Sequence, residues 1–147
     1  GKRIICCIFG ICMLKLFNYM ELIKTKNDNI IIHNNGGIVN CEDIIPVTHE
    51  FADQIYLRKM VMQKNQVVVG AEHKHEHVWF LLTGKVLIKE GKETIVHEAP
   101  CYTISKPGAK RTIIALEESI FMNVHKNPDN TKDIKELENQ IVKLWHL

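Results

Sequence analysis

Several absences narrow the field first. The five cysteines include no Cys-x-x-Cys pair, and three of them (Cys6, Cys7 and Cys12) share one N-terminal apolar stretch, which leaves Cys41 and Cys101 for the rest of the chain. That is no disulfide framework, and free thiols in a reducing compartment, the cytoplasm, fit this usage. Neither G-x-x-x-x-G-K-[ST] nor G-x-G-x-x-G occurs, so there is no loop to cradle a nucleotide or dinucleotide phosphate. G-x-S-x-G is missing as well, and no cysteine has an obvious base partner, so hydrolysis by a serine or cysteine nucleophile has little support. The net charge of +2 is spread thinly and gives no footprint for nucleic acid. From Met20 onward sixteen basic side chains face seventeen acidic ones, because Lys2, Arg3 and Lys15 all precede it. Internal repeats and low-complexity linkers are absent too.

The 147 residues, 46% hydrophobic and 24% charged, are enough for one domain that buries its own core. Residues 1–19 differ from the rest. A basic start precedes Ile4 to Leu14, like the charged and apolar regions of a signal peptide, but eleven apolar residues fall short of the roughly 20 that a membrane span needs. The expectation is a translated upstream segment or remnant outside the domain, with a short membrane-directing segment as the alternative. Residues 20–53 read as an arm of short or edge strands. Asn34-Asn35-Gly36-Gly37 marks a turn in it, and Pro46 limits any regular element nearby.

From residue 54 the pattern becomes regular. Ile55–Met62, Gln66–Gly70, His77–Leu82, Lys85–Lys89, Glu93–His97, Tyr102–Ser105, Arg111–Leu116 and Ile120–His125 are rich in strand formers and are separated by turn signals. Short strands recurring at that spacing predict an all-β antiparallel sandwich or barrel over residues 54–126. Glu90-Gly91-Lys92 is the clearest hairpin turn. Over 127–147 the period lengthens. Ile134, Leu137, Ile141, Leu144 and Trp145 lie on one face of an amphipathic helix, with Asn130 or Thr131 as the expected N-cap. Packing on its own barrel or across a dimer suits this acid-rich helix better than a membrane does.

The stretch with the most chemistry is Gly70 to Gly84, GAEHKHEHVWFLLTG. If it is extended, His73, His75 and His77 project to one face and Lys74 and Glu76 to the other. Three convergent neutral imidazoles suit zinc, iron, copper or nickel. The plainer reading is a solvated basic turn leading into a strand. Trp79 is in phase with His77 and is expected in the core or as a pocket wall. His97 and His125 end strands; either can reach a barrel mouth, although a plain strand-end place is the commoner fate. Cys101 reads as a small packing residue.

These residues resemble the cupin superfamily of small jelly-roll barrels. Its first motif runs glycine, a spacer, His-x-His, and a glutamate seven residues before a glycine. Gly70, His73, His75 and Gly84 match it, with His77 where the glutamate should be and with shortened spacing. The second motif, glycine, five residues, Pro-x-Gly, two residues, histidine, lies over Pro100 to Arg111. Pro100 replaces the glycine, Lys106-Pro107-Gly108 supplies the turn, and Arg111 stands where a fourth ligand would be. The closest resemblance is to short cupin-like proteins of tailed phages, carried by His73-Lys74, Glu76-His77, Glu98-Ala99-Pro100, Lys106 to Arg111, Ala115 to Ser119 and Asn123-Val124-His125.

The resemblance implies a small single-domain jelly-roll barrel with a C-terminal helix, a divalent transition metal (zinc, iron, manganese or nickel) on His73, His75 and His77, and a homodimer. It also implies a small-molecule ligand near Arg111, Trp79 and His125, and residence in the cytoplasm, that of the host if the protein is phage-encoded. Arginine has no lone pair to give a metal. Either three histidines hold the metal with positions left open, or the site is metal-free and Arg111 pairs with an anion. Arg111 also reads as a surface cation in the run Lys106, Lys110, Arg111. The function is therefore a metal-binding cupin with an unspecified reaction, or a non-catalytic module that binds a ligand or acts as a phage accessory protein.

Overall fold

Side-chain alternation decides which way each strand faces. The computed structural model describes residues 45–143 in full and, before them, the backbone of four short strands. In chain order the strands are β1 (Arg3–Ile8), β2 (Ile11–Cys12), β3 (Ile30–Ile32), β4 (Val39–Asn40), β5 (Val47–Ala52), β6 (Ile55–Met62), β7 (Val67–Gly70), β8 (Glu72–His73), β9 (His77–Thr83), β10 (Lys85–Glu90), β11 (Glu93–Glu98), β12 (Cys101–Ser105), β13 (Arg111–Ala115) and β14 (Ser119–Lys126). A helix α1 (Ile134–Ile141) and a short strand β15 (Val142–Lys143) follow.

The period of two is plain in β6, which buries Tyr56, Arg58, Met60 and Met62, in β9, which buries His77, Trp79 and Leu81, and in β14, which buries Ser119, Phe121, Asn123 and His125. These strands form the centre of a five-stranded antiparallel sheet ordered β12-β9-β14-β6-β5. A second sheet is ordered β11-β10-β13-β7-β1-β3. In it β7 and β13 are buried at every position, as strands covered on both faces must be. The inner faces meet over Met60, Met62, Val68, Trp79, Leu81, Val86, Ile113 and Phe121. Each such side chain contributes about 1.5–3 kcal/mol on burial. This is a small all-β jelly-roll barrel, with one helix among the described residues.

Two turns are set by glycine. Gly84 joins β9 to β10 at φ +88, and a Cβ there would lie 2.2 Å from Ser119 Oγ and 2.3 Å from the Glu118 carbonyl oxygen, so no other residue fits. Gly91 (φ +58) and Lys92 close the β10–β11 hairpin, with Glu90 opposite Glu93.

At the C-terminal side α1 buries Leu137 and Ile141 as expected, and Ile134 packs against the core. Its N-cap is Asp133 rather than Asn130 or Thr131. Asp133 Oδ1 accepts from the amides of Lys135 and Glu136 at 2.9 and 3.3 Å. Asn130 is instead spent on the β5–β6 turn, accepting from the Gln54 amide and donating to Asp53. Thr131 Oγ1 accepts from the Asp133 amide and donates to Glu136. Leu144 and Trp145, expected on the same helical face, lie outside the described residues. So does most of 1–19, although β1 within it pairs in parallel with β7 and β3. Among the described residues no helix is long and apolar enough to cross a membrane.

Candidate functional site

The expected single strand from His73 to His77 is broken. β8 ends at His73, residues 74–76 bend, and β9 begins at His77. His73 and His77 are buried while His75 is exposed. The alternation argument therefore fails for His75, which sits at the rim of a cleft of about 280 Å³. The third imidazole inside comes from β14. His73, His77 and His125 are all buried, and their candidate ligand atoms lie within 4.8 Å of one another. The ring centroids are 4.3 Å (73–77), 4.7 Å (77–125) and 5.6 Å (73–125) apart.

Backbone pairing fixes this cluster. The His73 amide donates to the Ala109 carbonyl at 2.9 Å and its carbonyl accepts from the Gly108 amide at 2.8 Å, while Val142 of β15 pairs with it from the other side. The Lys106-Pro107-Gly108 turn, part of the second motif, thus holds the histidine of the first. His77 is set by pairing with Ser105. His125 lies opposite Tyr56, whose ring stacks on it at 6.0 Å. Tyr56 is in turn hydrogen-bonded to His49 Nδ1 at 2.6 Å.

Burial makes all three imidazoles neutral. Desolvation, helped by the repulsion a second proton on neighbouring His77 would meet and by the Arg111 charge, lowers His73 to about 3. Desolvation and Arg111 lower His77 to about 4. Desolvation, with the neighbouring histidines, Arg58 and Arg111, holds His125 well below its ordinary value. The Ala109 carbonyl lies near enough to favour the His73 imidazolium slightly, but neither His73 nitrogen makes a well-formed hydrogen bond among the described residues. Neutral, unprotonated nitrogens are what a transition metal needs. Three imidazoles around a metal at about 2.1 Å place their nitrogens roughly 3.4 Å apart, so this cluster closes on an ion with shifts on the order of 1 Å. The donor set fits.

Arg111 is buried, not a surface cation. It stands 3% exposed at the start of β13, with Nη1 donating to Ser105 Oγ and Nη2 donating to His77 Nε2 at 3.2 Å. The Arg111 bond and a metal cannot both use the Nε2 lone pair of His77. Trp79, expected to line the ligand pocket or the core, is a core residue. It is 2% exposed, stacks on Phe121 at 5.0 Å and receives the edge of His97 at 5.0 Å. His97 thus leans on the core rather than on the mouth. Cys101 is a free thiol whose pKa is raised by burial, and it packs against the core.

Sequence reasoning passed over Arg58, Ser105 and Asn123, all buried in or beside the cluster. The period of two carried the signal. Arg58 is in phase with Tyr56 and Met60, and Asn123 with Phe121 and His125. A second cleft, of about 330 Å³, opens onto His77 and His125 between Gln54, Ile55 and Ile104.

No protein-family description and no curated protein matches the chain. Solved structures do. A cupin superfamily protein from Desulfitobacterium hafniense aligns over 56% of this chain and 76% of its own, at 10% identity and a TM-score of 0.51. A conserved protein with a double-stranded β-helix domain from Klebsiella pneumoniae aligns over 59% and 80%, at 16% identity and 0.51. At such identities the likeness concerns the fold alone, the jelly-roll barrel that these structures share with this chain.

Proposed function

We propose that this chain is a small cupin-fold protein that holds one divalent transition metal on His73, His77 and His125, with no part for His75. The observation that carries the reading is the buried cluster of three neutral imidazoles whose ligand atoms lie within 4.8 Å of one another. A metal on three imidazoles keeps positions for water or a small ligand and supplies Lewis acidity there. The clefts beside His77 and His125 give such a ligand an approach. The test is elemental analysis of untagged protein after loading with zinc, iron(II), manganese or nickel. Near-stoichiometric metal is expected in the wild type and in His75→Ala, and less than a tenth of that in His73→Ala/His125→Ala. A wild type without metal after loading would reject the reading.

One observation favours a second reading, a metal-free, non-catalytic ligand-binding module: the Arg111 guanidinium already engages His77 Nε2. It predicts ligand binding that chelators leave untouched. A homodimer belongs to either reading. Exposed Ile95 and Val96 on β11 and Tyr102 and Ile104 on β12, all about half exposed or more, offer apolar edge strands to a second copy. Residence in the cytoplasm and a tailed-phage origin complete the proposal.

A further inference from the structure

The five-stranded sheet carries apolar side chains on both faces, and the second sheet covers only the inner one. An antiparallel sheet with its other face in water ordinarily turns polar residues outward. Here β9 turns out Val78, Phe80 and Leu82, and β14 turns out Ile120, Met122 and Val124. On the edge strand β12, Tyr102 and Ile104 extend the same surface opposite Phe80 and Val78, and the rings of Phe80 and Tyr102 lie 5.7 Å apart. Lys59 of β6 is the only charge within this area among the described residues. It pairs with Glu50 of β5 at 4.0 Å, so the face is neutral as far as Lys126 at its rim. The outer face of the second sheet is different, since β10 turns out Lys85 and Lys89.

Exposure and size argue for a partner. Tyr102 is 66%, Ile104 53% and Leu82 41% open to solvent. Four strands about 4.8 Å apart, each about six residues long at roughly 3.4 Å per residue, span about 20 Å by about 20 Å. A face of that extent, roughened by its side chains, presents on the order of 600 Å², at the upper end of what a monomer leaves open. Two such faces in contact remove on the order of 1,200 Å², above the roughly 1,000 Å² that a specific interface needs. The chain's own described elements are engaged elsewhere: β1 and β3 extend the second sheet, β15 pairs with β8, and α1 buries Leu137 and Ile141 in the core. A neutral apolar face repels no copy of itself, whereas a charged partner finds nothing on it to pair with.

We propose that this face is the interface of a two-fold homodimer, the outer surface of β12, β9, β14 and β6 in one copy lying on that of its partner. The cross-strand row of Tyr102, Phe80 and Met122 supplies the large central contacts on which such interfaces depend. The inference rests on the homodimer of the proposed function and moves its contact from the strand edges to a sheet face. Two-fold symmetry sets the same patch against itself and closes the assembly at two copies. The cleft beside His77 and His125 opens at one end of the face, between Ile55, Val78 and Ile104, so the second copy also narrows the approach to the histidines.

The experiment is sedimentation equilibrium of the untagged full chain in reducing buffer, from about 1 to about 100 μM, with thermal unfolding as the check on folding. A dimer with a micromolar or tighter Kd is expected. Met122→Lys, on a central strand that an edge-to-edge dimer does not touch, should weaken it at least about thirty-fold. Leu82→Lys, at a side chain already open to solvent, should weaken it at least about ten-fold, and it decides by itself if Met122→Lys fails to fold. Ile95→Lys on the edge strand β11 should change the Kd less than about three-fold. A monomer at about 100 μM would overturn the proposal, whether residues 1–44 or another protein covers the face. An assembly that keeps growing with concentration would overturn it too. A dimer that Met122→Lys and Leu82→Lys leave intact would overturn the face and keep the homodimer, and one that Ile95→Lys alone dissociates would assign the contact to the edges. Metal content, read on the same samples, is independent of these outcomes, so the metal reading stands or falls separately.

Discussion

The two ends of the same three strands teach different things. Toward one end of the barrel, β6, β9 and β14 bring Met60, Met62, Leu81 and Phe121 together, with Phe121 opposite Met60 and Leu81. Toward the other, the same strands bring Arg58, His77, Asn123 and His125 inward, with Asn123 opposite Arg58 and His125 opposite Tyr56. Backbone geometry, phase and burial are alike, and only the side-chain chemistry differs. The apolar end returns free energy for every methylene it buries. The polar end has to hold neutral imidazoles and cations out of water, which is unfavourable unless partners compensate. One end holds the barrel together, and on the proposed reading the other is retained for the metal it holds.

The largest expected effect breaks the apolar end. Phe121→Ala removes a ring that is 0% exposed and stacked on Trp79, and should cost about 3–5 kcal/mol in denaturant unfolding. A loss under about 1 kcal/mol would mean that the two ends do not divide the work in this way.

The next effect belongs to the polar end and depends on pH. His73 is held near 3 and His77 near 4 in the folded protein, against about 6.5 when unfolded. The unfolded chain therefore takes up protons that the folded one refuses. For the metal-free protein, stability is fully present above about pH 6.5 and falls as the pH drops toward 4. The slope is about 1.4 kcal/mol per pH unit for each such histidine. Unfolding curves from pH 7 to 4.5 should show this acid limb, and His73→Leu/His125→Leu should flatten it. An unchanged limb in that variant would assign the acid sensitivity elsewhere.

The smallest effect lies at the rim. Glu76 and Lys106 form a 2.8 Å ion pair with both side chains more than half exposed. Lys106→Ala should change stability by less than about 0.5 kcal/mol and vanish into the error in high salt. A change above about 1.5 kcal/mol would show that the pair does more than sit on the surface.

Most of the barrel was legible because glycine and proline turns punctuate strands whose inward residues alternate strictly, as from Ile55 to Met62 and from Ser119 to Lys126. The site was legible only in part. His73 and His77 are both inward, but two separate strands put them there and not one unbroken run. The bend at Lys74-His75-Glu76, with the Lys74 amide donating to the Ile141 carbonyl at 2.8 Å, comes from a contact distant in sequence, which no local period reveals. His125 was expected near a ligand, with a plain strand-end place as its commoner fate, and Arg58, in phase with Tyr56 and Met60, was passed over. At the helix start three good capping residues stand within four positions, and tertiary demand on Asn130 left the role to Asp133.

The short strand that carries His73 has a consequence for the order of assembly. β8 is two residues long and has no register of its own. It is held by the turn before β13 and by β15, and the neighbouring Lys74 reaches the carbonyl of Asn139, 65 positions further along the chain. Contacts so distant in sequence need the intervening loop to close, as do core pairs such as Met60 and Phe121. The barrel's apolar end can be complete while its histidine cluster still lacks a member. The cluster is complete only when β8, the turn before β13 and β15 have all met.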